Sequence, residues 1–163
     1  MNSRPPEALL QVLIENGRAW VQSQRDRYWP EARRLTAAEK TELSPFFEAS
    51  ILDGARVAAV PLIENPPFYR ELEAQGIPIP LDFTAMEAIT FVDTILMAGG
   101  SAAVKFPLLF HELVHVVQYA ALGKDAFVAR YVRGWAEHGQ DYYAIPLEKD
   151  AYDFGASFSK GMA

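Results

Sequence analysis

The chain contains no cysteine. That absence removes disulfide cross-links, thiolate metal sites and a cysteine nucleophile together. Any metal must therefore be held by His, Asp or Glu. Histidine is scarce too, with three in 163 residues, so the position of each carries information. Positive charge is not in surplus: 15 Lys and Arg stand against 21 Asp and Glu, a formal net charge of −6. Nucleic acid and anionic membrane surfaces select the opposite balance, and neither is expected as a partner. No uncharged apolar run approaches the roughly 18 residues of a membrane span. The opening segment MNSRPPEALLQVLIENGRAW lacks the continuous apolar stretch and small-residue cleavage site of a secretory leader. A cytoplasmic protein is the default expectation, with leader-free export as the alternative.

What is present is an ordinary globular balance, half hydrophobic and 22% charged, at a length that suits one domain with a useful core. Behind Pro6, the residues Leu9, Leu10, Leu13 and Ile14 form one stripe and predict a helix start. SQRDRYWPEARR reads as a solvated face with Trp29 at a core edge. In LTAAEKTELSPFF, Thr36 is followed three residues later by Glu39, a capping box that predicts a short helix from Ala37 to Leu43. ARVAAVPLI predicts a strand, with Pro61 at its edge or end. ENPPFYRELEAQGIPIPLDF is loop-dominated with one helical turn at Tyr69–Ala74. EAITFVDTILM, residues 87–97, predicts one strand that stops at Gly99 and Gly100.

Three helices are expected after that. The first starts near Pro107, behind a lead-in over residues 101–106, and stops at Gly123. The second covers DAFVARYVRGWAEHG, and the third begins at Pro146. This order predicts an α+β fold, with a small antiparallel sheet packed on the first of these helices and on the C-terminal ones. Residues 1–34 read as an N-terminal helical extension and 35–163 as the main unit, within one globular whole.

The first of the three helices carries the pattern HELVH. At about 100° per residue, His111 and His115 lie within roughly 40° of each other, and Glu112 about 60° further round. Two imidazoles then reach one metal ion, with a carboxylate beside it to take a proton from a coordinated water. Chance would place this pattern on the order of once in a few hundred chains of this composition, so the match is informative without being decisive. The wheel strengthens it. Leu109, Phe110, Leu113, Val114, Val116, Val117, Ala120 and Ala121 occupy the remaining faces, which predicts burial all round. Buried His and Glu side chains need partners, and a metal ion supplies them.

Two histidines leave zinc short of a third protein ligand. Glu148, early in the last helix, is the leading candidate; small Ala151 and Gly155 on its face would let that helix approach closely. His138 is the alternative. Asp150 and Asp153 either accept a ligand N–H or face solvent. Gln118 either lines the pocket or bonds to nearby backbone. Tyr142 and Tyr143 are candidates to stabilise an oxyanion.

HELVHVVQYAALG, followed after a helix by YYAIPLEKDAYDFG, resembles the small bacterial zinc metallopeptidases of the DUF4157 type, a group overlapping the core domain of extracellular contractile injection systems. The likeness spans roughly residues 35–155. It implies a compact gluzincin-like zincin fold, Zn²⁺ held by His111, His115 and Glu148, and Glu112 as general base. It also implies a peptide or protein substrate and association with an injection system. The sequence departs from that group where Tyr119 follows Gln118, and at Tyr152, where an Asp is usual. The expectation is a zinc metallopeptidase with Glu112 and Tyr143 as catalytic residues. The rivals are a non-catalytic zinc-stabilised adaptor and a helical interaction domain without metal.

Overall fold

In the computed structural model, which describes residues 3–100 and 104–161, the first helix runs well past the predicted stripe. Helix α1 spans Glu7–Tyr28 and buries Leu10, Leu13, Ile14, Trp20 and Val21. Its polar last turns are the SQRDRY segment. The helix lies along α6 (Lys124–Glu137), so closely that a Cβ on Gly17 would sit 3.2 Å from a Val128 methyl. The segment read as an extension thus contributes to the same core as the rest of the chain.

A short strand β1 (Arg33–Arg34) leads into α2 (Ala37–Leu43), which the capping box starts as predicted. The Glu39 N–H donates to Thr36 Oγ1 over 3.1 Å, and the Thr36 N–H donates to the Glu39 carboxylate over 2.8 Å. Helix α3 (Ala49–Gly54) precedes β2 (Arg56–Ala59), which ends before Pro61. The proline-rich excursion holds one short helix, α4, at Tyr69–Ala74.

Residues 87–97 form a hairpin instead of the single expected strand: β3 (Ala88–Phe91) turns into β4 (Thr94–Met97). Val92 takes φ 62° at the turn, a left-handed conformation that β-branched residues rarely adopt. No Asn-Gly or Gly-containing turn signal marks the place, so the apolar pattern reads as continuous. The turn is held from outside. Arg25 of α1 donates from Nε and Nη2 to the two carboxylate oxygens of Asp93, at 3.0 and 3.1 Å.

The strand order is β1-β2-β4-β3, and β2 pairs with β4 in parallel. The sheet is therefore mixed, where an antiparallel one was expected. The cause is the long connection after β2: the chain enters at the far edge as β3, and the hairpin then inserts β4 beside β2, running the same way. Side chains alternate across it. Phe91 and Leu96 join the cluster with Trp20, Phe127 and Trp135, whereas Ala88, Ile95 and Met97 join Leu43, Leu113 and Phe158.

Helix α5 (Phe106–Leu122) carries the motif and α7 (Pro146–Gly161) follows a 3₁₀ turn at Tyr142–Ala144. Residues 101–103 of the expected lead-in lie outside the described residues. Burial of α5 is not complete: Leu109 to Val116 are buried, but Val117, Ala120 and Ala121 are exposed, because no element covers that side of its last turns. No described helix is long and apolar enough to cross a membrane.

Ala151 is fully buried against α5, as its size anticipates, but a Cβ on Gly155 would meet nothing within 4 Å. The glycine that closeness demands is Gly134 of α6, where a Cβ would stand 2.9 Å from Cδ of Pro146. Gly134→Ala should therefore destabilise the protein by about 1 kcal/mol net, overpacking against a rigid ring outweighing the better helix propensity of alanine. A lower urea midpoint at unchanged m-value would register it; a raised midpoint would contradict the contact.

Candidate metal centre

Helix α5 aims the two histidines of HELVH at a single carboxylate on α7. The Glu148 Oε2 atom lies 2.9 Å from His111 Nε2 and 3.2 Å from His115 Nε2, and the two ring nitrogens are 3.2 Å apart. All three residues are buried, and together they form a group that can hold a metal ion. The edges of this triangle approach the ~3.3 Å expected between ligand atoms each about 2.05 Å from a tetrahedral zinc. Glu112 is not a member of the group, which agrees with its place further round the helix.

Neighbours fix how each ligand presents itself. Gln118, one turn on from His115, donates its amide N–H to the Leu147 carbonyl over 3.0 Å. A carbonyl can only accept, so the amide oxygen must face the other way, 2.8 Å from His115 Nδ1. When the ring is neutral Nδ1 is therefore its protonated nitrogen and Nε2 is free to bind a metal ion; without one, below about pH 9, Nε2 carries a proton toward Glu148. Of the two roles expected for Gln118 the backbone contact is the one made, and the residue does not line the cavity. On the other side, the Tyr131 hydroxyl of α6 donates to Glu148 Oε1 over 2.8 Å. One carboxylate oxygen is thus held by the protein and the other left to the centre. The His111 ring packs on Tyr152, centroids 4.4 Å apart.

A bare imidazole nitrogen facing a carboxylate is repulsive unless a cation lies between them. The titration behaviour has the same origin. Burial opposes charge on His115, but its hydrogen bond to Glu148 and the nearby carboxylates outweigh that and raise its pKa to about 9. Burial acts on Glu148 in the opposite sense from its two histidine partners, which win and hold it below the usual carboxylate range. The donor set, two imidazoles and a carboxylate with no thiolate, suits a divalent transition-metal ion.

Glu112 is buried beside the group. Burial raises its carboxyl above the ordinary value, against the pull of His115, His111 and a hydrogen bond from Thr90. That bond is short, with Thr90 Oγ1 2.6 Å from Glu112 Oε2, and it ties the carboxylate to the edge strand β3. Neither Thr90 nor Tyr131 was singled out from the sequence. Their roles depend on packing between elements far apart in the chain, and no local signal marks them.

Other candidates are not brought to the centre. His138 caps α6, exposed, its ring Nδ1 2.9 Å from the Gly134 carbonyl. Asp150 is exposed, and Asp153 pairs with Lys149 at 2.9 Å on the surface. Tyr143 is 67% exposed and is not part of the cavity wall. The 3₁₀ turn rotates successive residues by about 120°, so Tyr142 turns inward to the cavity wall and Tyr143 outward.

Two measurements follow from this geometry. Tyr131→Phe should weaken zinc binding about 10- to 100-fold, read by competition with a chelator, with the fold intact by circular dichroism. Zinc must also displace the His115 proton, so apparent affinity should rise about tenfold per pH unit toward pH 9 and level off above it. The same raised pKa gives the metal-free protein stability that is complete below the ordinary His value of 6.5 and is lost as pH rises through about 9. Urea unfolding after chelation, across that window, tests the sign.

Comparison of the chain with protein-family models, with curated proteins and with solved structures finds no match in any of the three. The functional reading therefore rests on the site itself.

Proposed function

We propose that the protein is a zinc-dependent metallopeptidase. The observation that carries this is the division of labour at the centre. Three buried atoms converge as ligands, while a fourth buried group, Glu112, stands outside the ligand set and is held separately by Thr90. A metal serving stability alone has no need of a buried carboxylate that does not bind it. Bound zinc supplies a coordinated water acidified to near neutrality and polarises a substrate carbonyl.

The chain's own residues do the rest. His111, His115 and Glu148 hold the ion; Gln118 and Tyr131 keep two of those ligands in orientation. Glu112, its basicity increased by burial, takes the proton of the attacking water and returns it to the leaving amine. Thr90 leaves that carboxylate little freedom to swing away. Tyr142, which lines the cavity, is better placed than Tyr143 to meet a substrate oxygen. Strand β3 is an edge of the sheet beside α5, a position from which an extended peptide can be bound by strand addition. The resemblance of HELVH and PLEKDAY to the DUF4157-type metallopeptidases supports the same assignment, and from it alone comes the proposal of association with a contractile injection system.

Zinc content and peptide-library cleavage, measured on wild type and Glu112→Gln, test this reading. About one equivalent of zinc is expected in both after reconstitution, with cleavage reduced at least about 100-fold in the variant. If both hold zinc and neither cleaves, the zinc-stabilised adaptor takes its place. Thr90→Val should retain zinc yet lower kcat about 10- to 100-fold; undiminished kcat would remove Thr90 from the machinery.

A further inference from the structure

Between α1, α6, β3 and the proline-rich excursion lies a cavity of about 120 Å³. Its walls come from distant parts of the chain: Leu13 and Trp20 of α1, Phe83 of the excursion, Phe91 of β3, and Val128 and Val132 of α6. Among the described residues, the only carboxylates in its wall are Glu112 and Glu148, and His115 lies beside them. The apolar space and the candidate metal centre are therefore one continuous site. Its two ends differ in character, ionic at α5 and α7 and hydrocarbon at α1 and α6.

Size restricts the occupant. A cavity of roughly 150 Å³ lined by aliphatic and aromatic groups stays dry and takes up benzene. The present one has room for a phenyl ring or a leucine side chain, and not for a long acyl chain or an element of another protein. Because the cavity shares Glu112, His115 and Glu148 with the centre, a group seated in it belongs to a molecule whose polar part sits at the metal ligands. A peptide satisfies both ends: its carbonyl at the centre, and the adjoining side chain in the apolar space.

We infer that this cavity is a specificity pocket that receives one compact apolar side chain, aromatic or leucine-sized, from the substrate residue adjoining the bond held at the metal centre. The inference rests on the metallopeptidase reading. Val132, only partly buried in the wall, is a residue through which the pocket can be filled without touching a ligand.

Two readouts on the zinc-loaded full chain test it. Toluene, followed by NMR and thermal shift, should bind wild type with one-to-one stoichiometry and fail to bind Val132→Phe. Peptides identical except for Phe, Leu or Ala beside the scissile bond should be cleaved with kcat/KM about 10- to 100-fold higher for Phe and Leu than for Ala. Val132→Phe should abolish that preference. Absence of toluene binding to wild type, or cleavage indifferent to the flanking residue, overturns the pocket and leaves the peptidase reading standing. If toluene binds wild type alone and no peptide is cleaved, the peptidase reading falls, and a substrate side chain falls with it as the occupant. The wild-type toluene measurement is independent of whether the variant folds.

Discussion

The organisation of the molecule turns on two imidazole nitrogens and one carboxylate oxygen, mutually 2.9 to 3.2 Å apart and buried. Such a cluster is tolerable only with positive charge at its centre, because each member presents electron density to the others. Protons can supply that charge, at the cost of a histidine that stays protonated up to about pH 9. A divalent ion supplies it without that cost. The surroundings are compatible with the ion, since Gln118 keeps the proton of a neutral His115 on Nδ1 and Tyr131 occupies the Glu148 oxygen that faces away.

The packing of the fold serves this closure. Glu148 reaches the histidines because α7 starts at Pro146, hard against α6 where Gly134 offers no side chain. Helix α6 in turn is positioned by α1, through the contact between Gly17 and Val128. The N-terminal helix thus bears on a site to which it contributes no ligand, and it also furnishes part of the apolar wall beside it. On the other flank, the sheet's edge strand brings Thr90 onto Glu112. The helix, its acid–base candidate and the cavity beside them are held from opposite sides, and the Arg25–Asp93 pair ties α1 to the hairpin directly.

Local chemistry made much of this legible. The capping box placed α2 at its observed limits because both of its hydrogen bonds lie within four residues. His111, Glu112 and His115 were readable because a helix period alone puts them on neighbouring faces. Glu148 was readable with less force, as an acidic residue early in a later helix whose small neighbour Ala151 suggests close approach. The hairpin at Val92 was missed because its turn is stabilised by Arg25, 68 residues away in sequence, and not by turn residues of its own. The parallel pairing of β2 with β4 was missed for a related reason: strand direction is settled by where a long connection returns, and apolar alternation is the same for either direction.

The amino-acid sequence by itself limited the ligand chemistry: without cysteine, and with three histidines, any metal site would have to combine the HELVH pair with a carboxylate or with His138. It also determined that the helix bearing the pair would be largely buried. The tertiary structure alone decided which carboxylate closes the site, which way each imidazole points, and that Tyr142 faces inward while Tyr143 faces water. Those outcomes depend on distances of a few tenths of an ångström between α5, α6, α7 and β3. Contacts between segments remote in the chain set such distances, and residue periodicity carries no record of them.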